Sequence, residues 1–309
     1  MAEIATKLDD EGPNLEKLSQ RMIEIGIALS AERNTDRLME LILLEAKDIA
    51  NADGGTLYLM DEEEDALRFA IMRNDSLDIA MGGTTGVEIP FPPLKLNDPE
   101  TGEPNYTNNA TAVALRKESI NIPDAYDAEE FDFSGTKAFD SRTGYRSMSF
   151  FTVPLINNAG SIIGVLQLIN SRSKSGRVVS FSEELQPFIE ALASQAAVAL
   201  ENSNLVRQQR ELLESFIELI ASAIDAKSPY TGGHCSRVPI ITKMLAEAAC
   251  ESDAGPYAEF DLDDEEWYEL HLAAWLHDCG KVTTPEYVVD KATKLETIYD
   301  RIHEIRMRF

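Results

Sequence analysis

The sequence predicts an α+β protein: an antiparallel sheet with flanking helices, joined by a long helix to an all-helical region. Three observations carry this. Residues 146–156 and 161–170 are apolar, β-branched and aromatic runs around the turn Asn157-Asn158-Ala159-Gly160, the pattern of a β-hairpin. From Ser182 onward apolar residues recur at helical spacing, through Leu185, Ile189, Leu192 and Ala196 and later Leu205, Leu212, Phe216 and Leu219, with no Gly and no Pro after Pro187 until Ser228-Pro229. Beyond that break the pattern is helical, and it holds all four histidines, His234, His271, His277 and His303. The expected divisions are 1–30, an N-terminal tail and dimerisation helix; 31–180, the sheet domain; 181–226, the connecting helix; and 227–309, the helical domain.

Residues 1–13 are polar. A helix is expected from Asn14 to about Ala31, with Leu15, Leu18, Met22, Ile25 and Leu29 alternately three and four apart. That stripe serves either a seam with a partner helix or packing onto its own domain, and the spacing leaves both open. Residues 35–51 read as a second helix through Leu38, Ile42, Glu45 and Ile49, and Gly54-Gly55 break the pattern after it. Strands follow at 56–60 and 66–72, joined by the acidic turn 61–65 as a hairpin. Residues 82–110, rich in Gly, Pro, Asn and Thr, form a loop long enough to cover a site. A short helix at 112–117 and a strand at 119–122 lead to Pro123. The long segment begins at Ser182, with Glu183 and Glu184 favourable in its first turn. A helix of that length calls for a partner, so a parallel homodimer through the N-terminal and connecting helices is expected.

At 309 residues the chain is long enough for two cores. The net charge of −26 is spread over the chain, with 34 acidic against 17 basic residues up to Leu205 and 20 against 11 after it. Binding a phosphate backbone needs a basic surplus, so nucleic-acid polymers and anionic membranes are excluded as main partners. No apolar run approaches the roughly 18 residues of a membrane span. The N-terminal segment also lacks the uninterrupted apolar core of a secretory signal. Three cysteines, Cys235, Cys250 and Cys279, with no export signal read as the reduced thiols of a cytoplasmic protein.

The set Asn121-Ile122-Pro123-Asp124-Ala125-Tyr126, Phe131, Thr143-Gly144-Tyr145-Arg146, Val153-Pro154-Leu155 and Gly164-Val165-Leu166-Gln167-Leu168-Ile169-Asn170 resembles GAF domains of the cyclic-nucleotide-binding type. The resemblance covers about residues 30–200. It implies a sensor domain with a six-stranded antiparallel sheet and a small-ligand pocket under the long loops. It further implies Asp124, Thr143, Tyr145, Arg146 and Asn170 as pocket residues, for a cyclic nucleotide or another small molecule. The sequence departs from that subfamily's signature at Ser171, where Lys is expected, and at Leu185-Gln186, where an Asp-Glu pair is expected. A GAF domain used mainly for dimerisation and relay is the alternative.

The chemistry concentrates in residues 270–281, LHLAAWLHDCGK. Leu270, Ala273, Ala274 and His277 recur at helical spacing, which puts the imidazole on the buried side of a helix that Gly280 would cap. A buried His beside Asp278 is costly unless both are paired, and a divalent metal pairs both. In the preceding helix His234, Val238, Ile241, Leu245 and Ala248 share the expected inward face. Thr231 reads as its N-cap, and Arg237, one turn on, is available to a phosphate or an ion pair. A last helix from about Leu295 carries Ile298, Ile302, Ile305 and Phe309 on one face, with His303 at its edge. One histidine alone is usually a satisfied core residue. Three on three helices, one followed by Asp, read as a polynuclear metal site with a carboxylate able to bridge. His271 falls on another face, about 10 Å along the axis from Asp278, and is assigned no metal. Cys235 and Cys279 read as small buried residues, because successive helical side chains point about 100° apart.

Tyr230-Thr231-Gly232-Gly233-His234, Arg237-Val238, 273–281, Pro285, Lys294-Leu295 and His303 together resemble the HD superfamily of phosphohydrolases, in its HD-GYP branch. The resemblance implies hydrolysis of cyclic-di-GMP at a binuclear centre of iron or manganese rather than magnesium or zinc. It gives His234, His277, Asp278 and His303 as metal ligands, Asp278 as the bridging catalytic carboxylate, Lys281 as a catalytic phosphate contact, and Arg237 as a further contact to the substrate phosphate. The family's Gly-Tyr-Pro signature, paired histidines and final Asp lie beyond the His303 position, whereas this chain reaches Phe309 in mid-helix by its own periodicity. The expectation is a C-terminally truncated HD domain with weak metal occupancy and no useful turnover. Two alternatives stand beside it: an HD phosphohydrolase acting on another nucleotide, and a non-catalytic GAF protein for ligand binding or dimerisation.

Overall fold

The structure is a computed structural model that describes residues 15–227, 233–285, 288 and 302–309. It divides into two units, Met1–Leu205 and Val206–Phe309.

In the first unit α1 (Leu15–Ala31) and α2 (Thr35–Ile49) precede an antiparallel sheet. Its strands are β1 (Ala52–Asp61), β2 (Ala66–Asn74), β3 (Ile79–Gly82), β4 (Leu94–Lys95), β5 (Ile120–Ile122), β6 (Phe150–Ile156), β7 (Ile162–Arg172) and β8 (Val178–Val179). The main path is six strands in the order β3-β2-β1-β7-β6-β5, with β4 added to β2 and β8 to β7. Two helices, α3 (Asn109–Arg116) and α4 (Ser134–Thr143), lie in the connections. The chain then enters α5 (Gln186–Lys227), which continues into the second unit.

Strand alternation sorts the core into two faces. Leu57, Phe151, Leu166 and Leu168 pack with α1, α2 and the first part of α5. Their neighbours Tyr58 and Val165 pack with α3, and Phe150 joins Phe131 and Phe133. Burial of each such Leu contributes about 1.5–3 kcal/mol. The sheet thus separates a helical layer from a layer of α3, α4 and loops.

Several sequence expectations are corrected here. Gly54 and Gly55 do not break the pattern but lie inside β1. A Cβ on Gly55 would meet Leu43 Cδ1 at 2.8 Å and the Gln167 carbonyl at 3.1 Å, so helix and strand both press on this point of β1. Gly164 is tighter still, with its would-be Cβ 2.1 Å from the Tyr58 carbonyl oxygen across the β1–β7 ladder. The α1 stripe is spent at home, since Met22, Ile25 and Leu29 are buried in the unit's own core and Ile23 and Ile27 are exposed instead. The long helix starts at Gln186 rather than Ser182, whose hydroxyl accepts the Glu184 amide at 3.2 Å in the turn before it. It is one continuous helix of 42 residues. α4 and the short strands β3, β4 and β8 carry no clear sequence period and were not expected.

The second unit holds the last part of α5, then α6 (His234–Cys250), α7 (Asp264–Leu276), the 3-10 turn Cys279–Val282 and a helix Ile302–Arg308. The sequence places Thr231, Leu295 and Ile298 in this region, and these lie outside the described residues. The N-cap position of α6 is Gly233, at φ 73° and ψ 12°, with no side-chain cap. The face expected to point inward is turned out: Ile241 and Leu245 are 53% and 67% exposed. The residues that do face in are Cys235 and Pro239, buried, with Thr242, Ala246 and Ala249 half-buried behind them. The true face is offset by one residue, a rotation of about 100°: Cys235 packs with Ala221 and Ile224 of α5 and Trp275 of α7, while the larger Ile241, Met244 and Leu245 are exposed. α7 begins with a capping box between Asp263 and Glu266. Its expected cap Gly280 lies beyond the end, which is His277. Cys235 is buried, but Cys279 is exposed, against expectation. Among the described residues no helix is long and apolar enough to cross a membrane.

Candidate functional site

The end of α7 builds the site. His277 Nδ1 lies 2.7 Å from the Ala274 carbonyl oxygen, one turn back. A carbonyl only accepts, so this nitrogen carries a proton, and Nε2 is the ring atom turned to the site. That bond also gives a partner to one of the last carbonyls of α7. Asp278 follows at φ −106° and ψ 6°, and the 3-10 turn returns Lys281 to it, with Nζ 2.5 Å from Oδ2.

α6 supplies the third group. His234 is its first residue, and its Nε2 lies 3.1 Å from His277 Nε2 and 3.5 Å from Asp278 Oδ2. The triangle closes with His277 Nε2 to Asp278 Oδ2 at 3.3 Å. A point about 2.1 Å from all three atoms exists just off their plane, an ordinary metal–nitrogen and metal–oxygen length. The residues present therefore fit a divalent ion, and they are the one such His, Cys, Asp or Glu group among the described residues. Burial pushes the Asp278 carboxyl up, but the hydrogen bond and charge of Lys281, with the two imidazoles, hold it below the usual carboxylate range. It is therefore a ready anion.

The site is more open than the sequence predicts. The side chains of His234, His277 and Asp278 are 41, 29 and 16% exposed, so His277 is not on a buried helix face. His303 is exposed on its short helix and is not part of the group. Arg237 is exposed, with its guanidinium turned back toward Gly233. His271 is edge-on to Trp275, ring centres 6.4 Å apart, and takes no part.

The first unit holds a cavity of about 470 Å³ between the sheet, α3 and α4. Of the five residues expected to line it, Tyr145 does. Asn170, Asp124, Thr143 and Arg146 do not, and their bonds explain why. Asn170 sits in the left-handed region at φ 58° and spends its whole amide on one loop. Its Oδ1 accepts the amides of Met148 at 2.7 Å and Ser149 at 3.2 Å, and its Nδ2 donates to the Tyr145 hydroxyl and the Arg146 carbonyl, each at 2.8 Å. Asp124 accepts the Tyr126 amide at 2.8 Å and lies 3.7 Å from Arg146, whose guanidinium covers the Tyr126 ring. Thr143 donates to the Phe139 carbonyl at the end of α4. These four shape the loop around the cavity. The Tyr145 hydroxyl donates to buried Asp53 at 2.5 Å, and burial with that bond pushes it far above the ordinary phenol range.

Sequence reasoning missed the row Thr56, Gln167 and Thr152, aligned across β1, β7 and β6. Thr56 and Gln167 line the cavity. The available signal was a polar residue in the middle of three otherwise apolar strands.

Residues 34–200 match the GAF domain family. The chain belongs to the GAF family. Among curated proteins the chain is similar to 3'3'-cGAMP-specific phosphodiesterase 3 of Vibrio cholerae, 38% identical over 84 residues, which are 27% of this chain and 16% of that protein. It is similar to the dual 3',5'-cyclic-AMP and -GMP phosphodiesterase 11A of Takifugu rubripes, 34% identical over 99 residues, 32% of this chain and 10% of that protein. The 3'3'-cGAMP-specific phosphodiesterase 2 of Vibrio cholerae is 29% identical over 122 residues, 38% and 21% of the two chains. The chain thus spans less than a quarter of the length of these relatives. A solved GAF domain from a Coxiella burnetii phosphoenolpyruvate-protein phosphotransferase aligns with 63% of this chain and 99% of its own, with a TM-score of 0.48 and 16% identity.

Proposed function

We propose that the GAF unit is a ligand sensor for a metal-dependent phosphodiesterase of the HD-GYP type, with cyclic-di-GMP as substrate. The observation that carries this is the triangle of His234 Nε2, His277 Nε2 and Asp278 Oδ2, with edges of 3.1–3.5 Å. The similarity to phosphodiesterases that act on cyclic nucleotides and cyclic dinucleotides supports the reaction class.

A bound divalent metal, iron or manganese in a binuclear centre, would supply Lewis acidity at phosphoryl oxygens and a water of lowered pKa. The chain's own residues do the rest. His277 is fixed in the right tautomer by the Ala274 carbonyl, and so needs no reorganisation to act as a ligand. Asp278 stays anionic down to low pH and is the proposed bridging carboxylate. Lys281, paired with Asp278, is the proposed contact to a phosphate oxygen, and Arg237 is kept as a proposed second contact, which would require its guanidinium to turn from Gly233. His303 is kept as a proposed fourth ligand, which would require its helix to approach the other three.

Exposed Leu205, Leu212 and Leu219 recur every seven residues along α5, with exposed Phe216 between the last two. Ile217, Ala221 and Ile224 are buried on the other side of the helix. A seven-residue apolar period is that of a coiled coil, which supports a parallel homodimer through α5.

The test is hydrolysis of cyclic-di-GMP and 3'3'-cGAMP by the manganese- or iron-loaded chain and by its His277→Ala variant. Weak turnover of cyclic-di-GMP that the variant lacks is expected, because the described residues bring together one group of three candidate ligands, fewer than a complete binuclear centre needs. Equal turnover by both proteins would refute the site.

A further inference from the structure

The cavity of the GAF unit has a chemistry that narrows its ligand, and the inference rests on reading this unit as a sensor. Its walls are aromatic on two sides. Tyr58, Phe69 and Phe91 form a chain of rings with centres 4.7 and 5.4 Å apart. Phe133 and Phe150 form a second pair at 5.2 Å. A volume of about 470 Å³ is within the usual range for a small-molecule site, roughly 300–1,000 Å³.

Most buried polar groups in the lining are already bonded to the protein. Arg73 is buried and donates to Glu40 at 2.6 Å and to the Met72 and Met81 carbonyls. Its charge is matched before any ligand arrives. The first amides of α3 would be a seat for an anion, but the Asn108 side chain accepts from Ala110 and Thr111 and fills it. Gln167 accepts from Tyr58 and donates to Thr152, and Ser147 donates to Asp140. Asn109 donates to Thr152, and its carbonyl oxygen is sealed beneath the lining. The remaining charged residues of the lining, Asp132 and Arg142, are opposite in sign and exposed. A phosphate entering here would lose its water and meet one exposed guanidinium, Arg142, with the carboxylate of Asp132 in the same lining, and no buried cation left unmatched.

We propose that this cavity takes an uncharged, flat aromatic molecule and discriminates against cyclic nucleotides. Ring stacking against the two aromatic walls supplies the affinity, and the lack of a buried, unmatched cation or open amide nest in the lining supplies the discrimination.

The 309-residue chain is titrated by calorimetry with indole and 2-naphthol as neutral ring probes, and with cyclic AMP and cyclic GMP. The expected result is saturable binding of at least one neutral ring, at least tenfold tighter than either cyclic nucleotide. Ala138 lines the cavity yet is exposed on α4, so Ala138→Trp fills the space without disturbing the core. It should weaken ring binding at least tenfold while the melting temperature stays unchanged. Cyclic nucleotide binding as tight as that of the rings, in the unaltered chain, would overturn the neutral-ligand inference and leave the sensor reading standing. Failure of every probe to saturate would overturn both. Ring binding that Ala138→Trp leaves untouched would place the ligand elsewhere and overturn the inference.

Discussion

Motif residues meet opposite fates in the two units. Asn170 in the sheet unit is 1% exposed and every polar atom of its amide is bonded to the loop it clamps. His277 in the helical unit is 29% exposed, with Nδ1 bonded to the Ala274 carbonyl and Nε2 turned to His234 Nε2 and Asp278 Oδ2. Sequence marks both residues as functional and does not distinguish them. The partners do: Asn170 is bonded to the backbone and hydroxyl of one loop, whereas His277 Nε2 meets only other potential metal ligands, His234 and Asp278. The same contrast runs through the cores. Leu166, Leu168 and Leu192 are fully buried, whereas Ile240, Ile241, Met244 and Leu245 of α6 are more than half exposed.

The sharpest way to break this contrast is Asn170→Ala. It orphans the half-buried Met148 and buried Ser149 amides and should cost about 3 kcal/mol or more of GAF-unit stability in urea unfolding, leaving metal affinity unchanged. A loss under 1 kcal/mol would mean that Asn170 is not a clamp. Leu192→Ala should cost about 2–5 kcal/mol by cavity formation, while Leu245→Ser in α6 should stay within about 0.5 kcal/mol. Similar losses in the two would erase the difference between the units.

Glu40→Gln tests a charge inside the sheet unit. The hydrogen bonds from Arg73 and Thr84 hold the Glu40 carboxyl below its ordinary value. A depressed carboxylate stabilises the fold at neutral pH, and that contribution is lost as pH falls from about 4.5 through the folded value. The variant should lose about 1.5–3 kcal/mol at pH 7, with the gap from wild type closing in acid. A gap that widens below pH 4.5 would refute the assignment. The smallest effect is that of Lys281→Met, which should raise the Asp278 carboxyl toward its ordinary value in a carboxyl NMR titration and change stability by less than about 0.5 kcal/mol. A carboxyl that does not move would mean that Lys281 is not its main partner.

Much of this was legible in the sequence where the period was strong. The β6–β7 hairpin and the long α5 follow from alternation and from uninterrupted helical spacing. The HD pair was legible because a His and an Asp adjacent at a helix end act locally. The α6 face was misread by one residue because Val238, Ile241 and Leu245 dominate the pattern, while the packed face is made of Cys235, Pro239, Thr242 and Ala246. α4 was invisible because SGTKAFDSRT has almost no apolar period. The cavity-lining residues were missed because their role depends on a cross-strand register that no local pattern encodes.

The central claim is that His234, His277 and Asp278 hold a divalent metal. The direct measurement is a manganese titration of the chain followed by calorimetry, alongside His277→Ala. The account predicts one saturable site in the parent, a loss of affinity of at least a hundredfold in the variant, and the same unfolding midpoint for both GAF units. No saturable site in the parent, or equal affinity in the two proteins, would contradict it.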